Sequence, residues 1–323
     1  MKNGVRFIGI GALLLSACAA QDGPSASDSR RYPADYRPTE AISLLGRPLY
    51  AQPPAADRAE LESALAAARA NLVSHPSDPD CAVWVGRRLG YLWRMTEAIE
   101  VLSRGLESHR RYAPLYRHRG HRYITIRQFD RAIADLESAS RLIVGQEDQI
   151  EPDGMPNARN IPLTTLAFNV WYHLGLARYL KGDFAGALTA YDETMKHLGG
   201  YDDNLVAATD WKYMTLRRMG RDSEAAALLD PIREDMDIIE NHAYHKRLLM
   251  YKGILSPEEL LDPPNASDLD LATMGYGLGN WYLCNGERQK AIHLFDKVVA
   301  GAYWPAFGYI AAEADLARLR PRP

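Results

Sequence analysis

Cysteine is scarce: the 323 residues hold only Cys18, Cys81 and Cys284. Cys81 and Cys284 lie far apart along the chain, so a disulfide between them is geometrically implausible and each reads as a small buried hydrophobe. Charge of one sign is lacking too. The 38 basic and 41 acidic residues leave a formal charge of -3. Without Lys2 and Arg6 of the leader, 36 basic residues face 41 acidic ones, or -5. That balance gives no electrostatic case for a nucleic acid or an anionic membrane face. No stretch of useful length alternates as strands do, and Gly and Pro sit between helical runs. No P-loop, nucleophile elbow or triad-like arrangement occurs. Gly275-x-Gly277-x-Gly279 sits in a helical run with no strand before it, so it is no nucleotide loop. His118/His121 and His242/His245 are i,i+3 pairs without a third or fourth ligand nearby, and read as packing histidines rather than a metal site. Neither a cofactor nor an enzymatic activity is expected.

What is present is a helical hairpin, clearest over 168–195. Trp171 and Leu174 precede Gly175, Gly182 breaks the run, and Phe184, Ala187 and Tyr191 follow at the 3–4 spacing of a helix face. Small side chains at 175 and 187 allow two helix axes to approach. The stretch resembles a tetratricopeptide repeat, a 34-residue helix–turn–helix unit, with Tyr179 one place later than that pattern has it. Counterparts of Ala187 fall at Ala64, Ala98, Ala132, Ala225, Glu258 and Ala291. The steps are 34, 34, 55, 38, 33 and 33 residues. The step of 55 is one period plus an insertion of 21, at about 145–165. The resemblance implies an all-α, right-handed solenoid of about five to six repeats over 55–323. An N-terminal half-repeat opens it, and a helix from Pro305 to Leu319 caps its C-terminal end.

Residues 1–18 read as an export signal. Lys2 and Arg6 precede the apolar stretch Phe7–Leu15, whose nine residues at ~1.5 Å each cannot cross a ~30 Å hydrocarbon layer. Leu15-Ser16-Ala17-Cys18 resembles the bacterial lipoprotein box, which implies acylation of Cys18, with chains such as palmitate, and cleavage before it. Several acyl chains anchor a protein stably where one is marginal. Ala19 in place of Asp favours outer-membrane sorting by the same resemblance. Residues 19–54 then read as a tether rich in Ser, Ala, Asp and Pro, ending in a segment, 41–50, that packs on the first helix.

Groove positions carried over from the repeat family are Arg87, Tyr91, Arg117, His121, Tyr172, Tyr179, Asp210, Arg217, Tyr276 and Asn280. Tyr and Arg are frequent anchors of partner peptides. The insertion emerges beside the N-terminal ends of the groove helices, and long loops of this kind are often functional. Asp153, Asn157, Arg159 and Asn160 are therefore candidates to close, with Asn241 and His242, over a small polar ligand. The leading expectation is a lipid-anchored scaffold that binds partner proteins or peptides at the periplasm-facing cell envelope. A small-polar-ligand module serving a transporter is the alternative, and a hydrolase using Asp210 and His242 is a third reading.

Overall fold

Small side chains returning in register set the architecture. The computed structural model describes residues 38–52, 58–261 and 268–320. Helix α1 (Arg58–Ser74) precedes hairpins α2 (Pro79–Tyr91) with α3 (Met95–Ser108), and α4 (Ala113–Thr125) with α5 (Phe129–Ile143). After the insertion come α6 (Leu166–Lys181) with α7 (Phe184–Thr194), and α8 (Asp202–Arg218) with α9 (Asp222–Ala227). The series continues with α10 (His242–Tyr251) and α11 (Pro257–Leu261), then α12 (Asp268–Cys284) and α13 (Arg288–Ala300), and ends in α14 (Phe307–Leu319).

The hairpins cross where the sequence places its small residues. Ala98, Ala132, Ala187, Ala225 and Ala291 are all fully buried, at 0% exposure. On the first helices, a Cβ added at Gly86 would stand 2.7 Å from Leu102, and at Gly120 2.8 Å from Leu136. At Gly175 it would stand 2.7 Å from Tyr191, and at Gly279 2.5 Å from Phe295. Each partner lies sixteen residues further on, so one crossing recurs in four hairpins. Such contacts leave no room for a methyl group. The packing is that of an all-α tetratricopeptide-type array.

Five residues before the repeat positions 98, 132, 187, 225, 258 and 291 the chain turns through the left-handed region. Gly182, Gly220, Gly253 and Gly286 fill that place with φ of 92°, 71°, 81° and 82°. In the first two hairpins it is filled by Trp93 and Arg127, at φ 59° and 66°. A bulky side chain there is strained, and such strain persists only where surrounding contacts hold it.

Two repeats depart from the pattern for legible reasons. Asp230-Pro231 cannot continue a helix, so α9 is short and the chain runs irregularly to 241 with Leu229, Ile232, Met236 and Ile238 buried. Asp203, itself fully buried, fastens this run by accepting from the backbone N–H groups of Ile239, Glu240 and Asn241, each at 2.8 Å. In the fifth repeat α11 has five residues and Glu258 is exposed.

Both chain ends differ from expectation. Strands β1 (Thr39–Ile42) and β2 (Pro48–Tyr50) pair antiparallel within the segment expected to pack on the first helix. The hairpin is tied to the far end of the chain: Arg47 Nη2 donates to the Val299 carbonyl at 3.1 Å, and Trp304 Nε1 to the Tyr50 carbonyl at 2.9 Å. It also reaches α3, where Glu40 accepts from the Thr96 N–H at 2.9 Å. Helix α14, expected as an end cap, is buried continuously from Gly308 to Leu316. It packs against α12, α13 and α6. Among the described residues no helix is long and apolar enough to cross a membrane. Cys18 lies outside the described residues.

Candidate functional site

The face formed by the first helices of the repeats holds most of the groove positions, and α14 meets it through charged side chains. Arg218 of α8 holds Asp315 in a two-pronged pair at 2.9 Å on each arm, and Tyr276 of α12 donates to the same carboxylate at 3.0 Å. Tyr179 of α6 donates to the Tyr276 hydroxyl oxygen at 2.7 Å, and Asn280 Oδ1, 3.2 Å from the Tyr179 oxygen, accepts from Arg218 at 3.2 Å. First helices of the third and sixth repeats thus touch directly. Tyr179, Tyr276 and Asn280 are buried at 1% exposure or less, their polar groups spent on one another and on α14. Burial pushes both phenols above the usual tyrosine range.

Tyr172 is buried and stacks on Phe168 at 5.6 Å, with its hydroxyl 3.5 Å from that of Tyr244. Asp210 is fully buried beside Arg247 at 2.9 Å, a charge pair without hydrogen-bond alignment. Burial raises its carboxyl to about 7, with Arg247 opposing. His242 is exposed at the start of α10, so the hydrolase reading finds its acid paired with an arginine and its histidine in solvent. Arg217 is half-buried, donating to Tyr213 at 2.9 Å and to Asn285 at 2.7 Å.

The remaining groove positions come together under the insertion. Arg117 and His121 lie one turn apart on α4, on one helix face. Arg117 is buried and pairs with Glu151 of the insertion at 3.0 Å, and His118 Nε2 lies 3.6 Å from the same carboxylate oxygen. Arg88 of α2 donates to the Gly154 carbonyl at 2.7 Å. Gly154 sits so tightly on Tyr91 that a Cβ there would stand 1.9 Å from the phenol oxygen. Arg87 covers the Trp84 ring at 4.6 Å, and its charge opposes the rise that burial imposes on the Asp153 carboxyl. The insertion therefore closes over the first two repeats, and it also reaches the fourth, where Asn204 of α8 donates to the Leu163 carbonyl at 2.7 Å.

Its other polar residues face the run after α9, where Glu240 lies near Asn157, Asp153 and Asp203. Asn157 donates to the Ile161 carbonyl at 2.7 Å, accepts from the Arg159 and Ile161 N–H groups, and also bonds the Glu240 carboxyl. Arg159 forms a two-pronged, exposed pair with Asp237 at 2.7 and 2.6 Å. Asn160 is exposed at φ 53°. Asn241 donates its backbone N–H to Asp203 and its side chain to the Asp203 carbonyl at 3.2 Å.

Behind the insertion lies a cavity of about 290 Å³, whose walls include Tyr91, Met95, His121, Arg122, Met155 and Phe307. His121 stacks 4.5 Å from His173 and 5.3 Å from Phe307. Burial, reinforced by Arg117 and Arg122, holds His118, His121 and His173 well below the ordinary imidazole value, so they are neutral. Sequence reasoning missed Arg122 and Glu151, and also Trp93 and Arg127. The last two carried a readable signal, since each stands where the other turns have glycine.

No family model matches the chain, and no curated protein matches it in sequence. Among solved structures, it is similar to YrrB, described as a TPR protein with an unusual peptide-binding site. The two are 16% identical, with 79% of this chain and 98% of that one covered and a TM-score of 0.41. It is also similar to a tetratricopeptide repeat protein from Parabacteroides merdae, with 14% identity, 81% and 94% covered and a TM-score of 0.48.

Proposed function

We propose, from a tetratricopeptide-type array as the premise, that this chain is a non-catalytic interaction scaffold. A lipid on Cys18 holds it at the periplasmic side of a bacterial envelope membrane, the outer membrane by the sorting signal at Ala19. One observation carries the scaffold reading: α14 fills the face that repeat arrays leave open, bound through Asp315 to Arg218 and Tyr276. The result is a braced body whose outer surfaces and loops are what a partner can reach. Two-hybrid or crosslinking capture of partners in the native cell tests it. Cys18→Ser is expected to leave an uncleaved or soluble protein, and unchanged membrane partition of that variant would defeat the anchor.

A second reading is favoured by the closure of the insertion on Arg117 and Arg88 above the cavity. In it the chain is a small-ligand module at the envelope, with residues 145–165 as its cover. Deleting 146–163 separates the two readings. A scaffold keeps its partners and a ligand module loses its thermal shift with small solutes.

A further inference from the structure

Four buried or half-buried arginines near this face pair with carboxylates. Arg117 meets Glu151 at 3.0 Å, Arg127 meets Glu313 at 2.9 Å, Arg218 meets Asp315 at 2.9 Å and Arg247 meets Asp210 at 2.9 Å. Arg122 has no such carboxylate among the described residues. Its polar contact is Met95 Sδ, 4.0 Å from Nη1. The guanidinium lies across α2 where only glycine fits, because a Cβ on Gly90 would stand 1.8 Å from Nη1. Beside it in the cavity wall, the buried Nδ1 of His121 has no hydrogen-bond partner. Thr125 has no proton to give His121 Nδ1, since its hydroxyl already donates to the His121 carbonyl at 3.1 Å.

We propose that this cavity takes a small organic carboxylate, its anionic end on Arg122 and its apolar body against Met95 and Phe307. The inference rests on the small-ligand reading above. A half-buried guanidinium at a cavity wall gains from a counter-charge, and its plane binds a carboxylate through two parallel bonds. Burial and the charges of Arg117 and Arg87, opposed by Tyr91 and the more distant Glu151, push Arg122 down to about 10, and a bound anion acts against that fall. The aromatic and aliphatic walls of the cavity suit a carbon body and disfavour inorganic phosphate. Its size, close to the ~300 Å³ lower end of ligand pockets, suits a free small molecule.

Calorimetric titration of the full chain with 4-phenylbutyrate and with its neutral analogue 4-phenylbutan-1-ol tests this. The wild-type chain is expected to bind the acid at least ~10-fold more tightly, which corresponds to ~1.4 kcal/mol. Arg122→Gln is expected to bind both alike, with the alcohol's affinity unchanged. Equal binding of acid and alcohol by the wild type, or no binding of either, overturns the proposal whether or not the variant folds. Tighter binding of N-acetyl-Ala-Ala-Phe than of 4-phenylbutyrate overturns the choice of a free acid over a peptide end. Met155 is an exposed side chain in the cavity mouth, so maleimide labelling of Met155→Cys places the ligand. The acid is expected to slow it and the alcohol to leave it unchanged; labelling unaffected by bound acid contradicts the location. Partner capture by the anchored chain is scored separately, so failure here leaves the scaffold reading standing.

Discussion

Arg127 Nε lies 2.9 Å from Glu313 Oε2, and the two side chains, 186 residues apart in sequence, are 2% and 0% exposed. Arg127 also donates to the Trp304 carbonyl at 3.1 Å. Its backbone stands at φ 66° where later repeats have glycine. The equivalent Trp93 packs edge-on against Tyr303 at 5.1 Å and Trp304 at 5.6 Å. Both strained turns therefore aim a large side chain at the last turn of the chain, and the contact offsets the strain of the turn.

Removing one member of this pair leaves a buried charge without its partner. Arg127→Ala is expected to lose about 3–5 kcal/mol in urea unfolding. The double replacement Arg127→Met with Glu313→Leu is expected to recover most of that loss, since apolar substitutes of similar volume often replace buried pairs without cost. A stable single variant would show that the pair is dispensable.

The helix crossings give a second test. Gly175→Val presses a branched side chain into the Tyr191 ring, 2.7 Å from where its Cβ must sit. Overpacking of this kind costs about 1–3 kcal/mol, read as a lower melting temperature. Thr189→Val, on the exposed side of α7, is expected to move it little.

Acid sensitivity follows from the histidines. His118, His121 and His173 are held below the unfolded value of ~6.5. Below that pH the unfolded chain takes up protons that the folded chain refuses, so stability falls as pH falls. Asp210 acts oppositely: raised to about 7, it keeps a proton that the unfolded carboxyl releases near ~4, so its contribution grows as pH falls from 7 to 4. Three groups against one, at ~1.4 kcal/mol per proton per pH unit, give a net loss of at most about 3 kcal/mol per unit below pH 6. Urea unfolding at pH 7, 6 and 5 measures the slope. His118→Gln is expected to reduce it by about 1.4 kcal/mol per unit.

The irregular run after α9 depends on one carboxylate. Asp203→Ala strips the acceptor from three backbone N–H groups, each a loss of about 1–3 kcal/mol if left unsatisfied. Hydrogen exchange is expected to quicken at residues 237–241 before it changes in α6 or α12. Uniform quickening would mean that Asp203 supports the whole array.

The repeat lattice was legible because it is local: Ala98, Ala132, Ala187 and Ala291 declare their burial by size and period alone. Repeat four's short second helix follows from Asp230-Pro231, a signal that the sequence reading passed over. The role of α14 was hidden, because Glu313 and Asp315 read as a solvent face until Arg127 and Arg218 are brought to them from far away in the chain. The same distance concealed the site. Arg117 and His121 were found by repeat position, whereas Arg122 matters through the missing Cβ of Gly90 and the cavity behind it. The hairpin at 39–50 went unread because its strands are four and three residues long, too short to show alternation.

The most direct measurement ends the chain after Gly301, removing Trp304 and α14, and follows its thermal unfolding. A helix that fills the inner face is part of the core, so the shortened chain is expected to lose its cooperative transition and expose apolar surface to a reporter dye. A sharp transition within a few degrees of the full chain would contradict it, showing α14 to be a dispensable cap on an array with an open face.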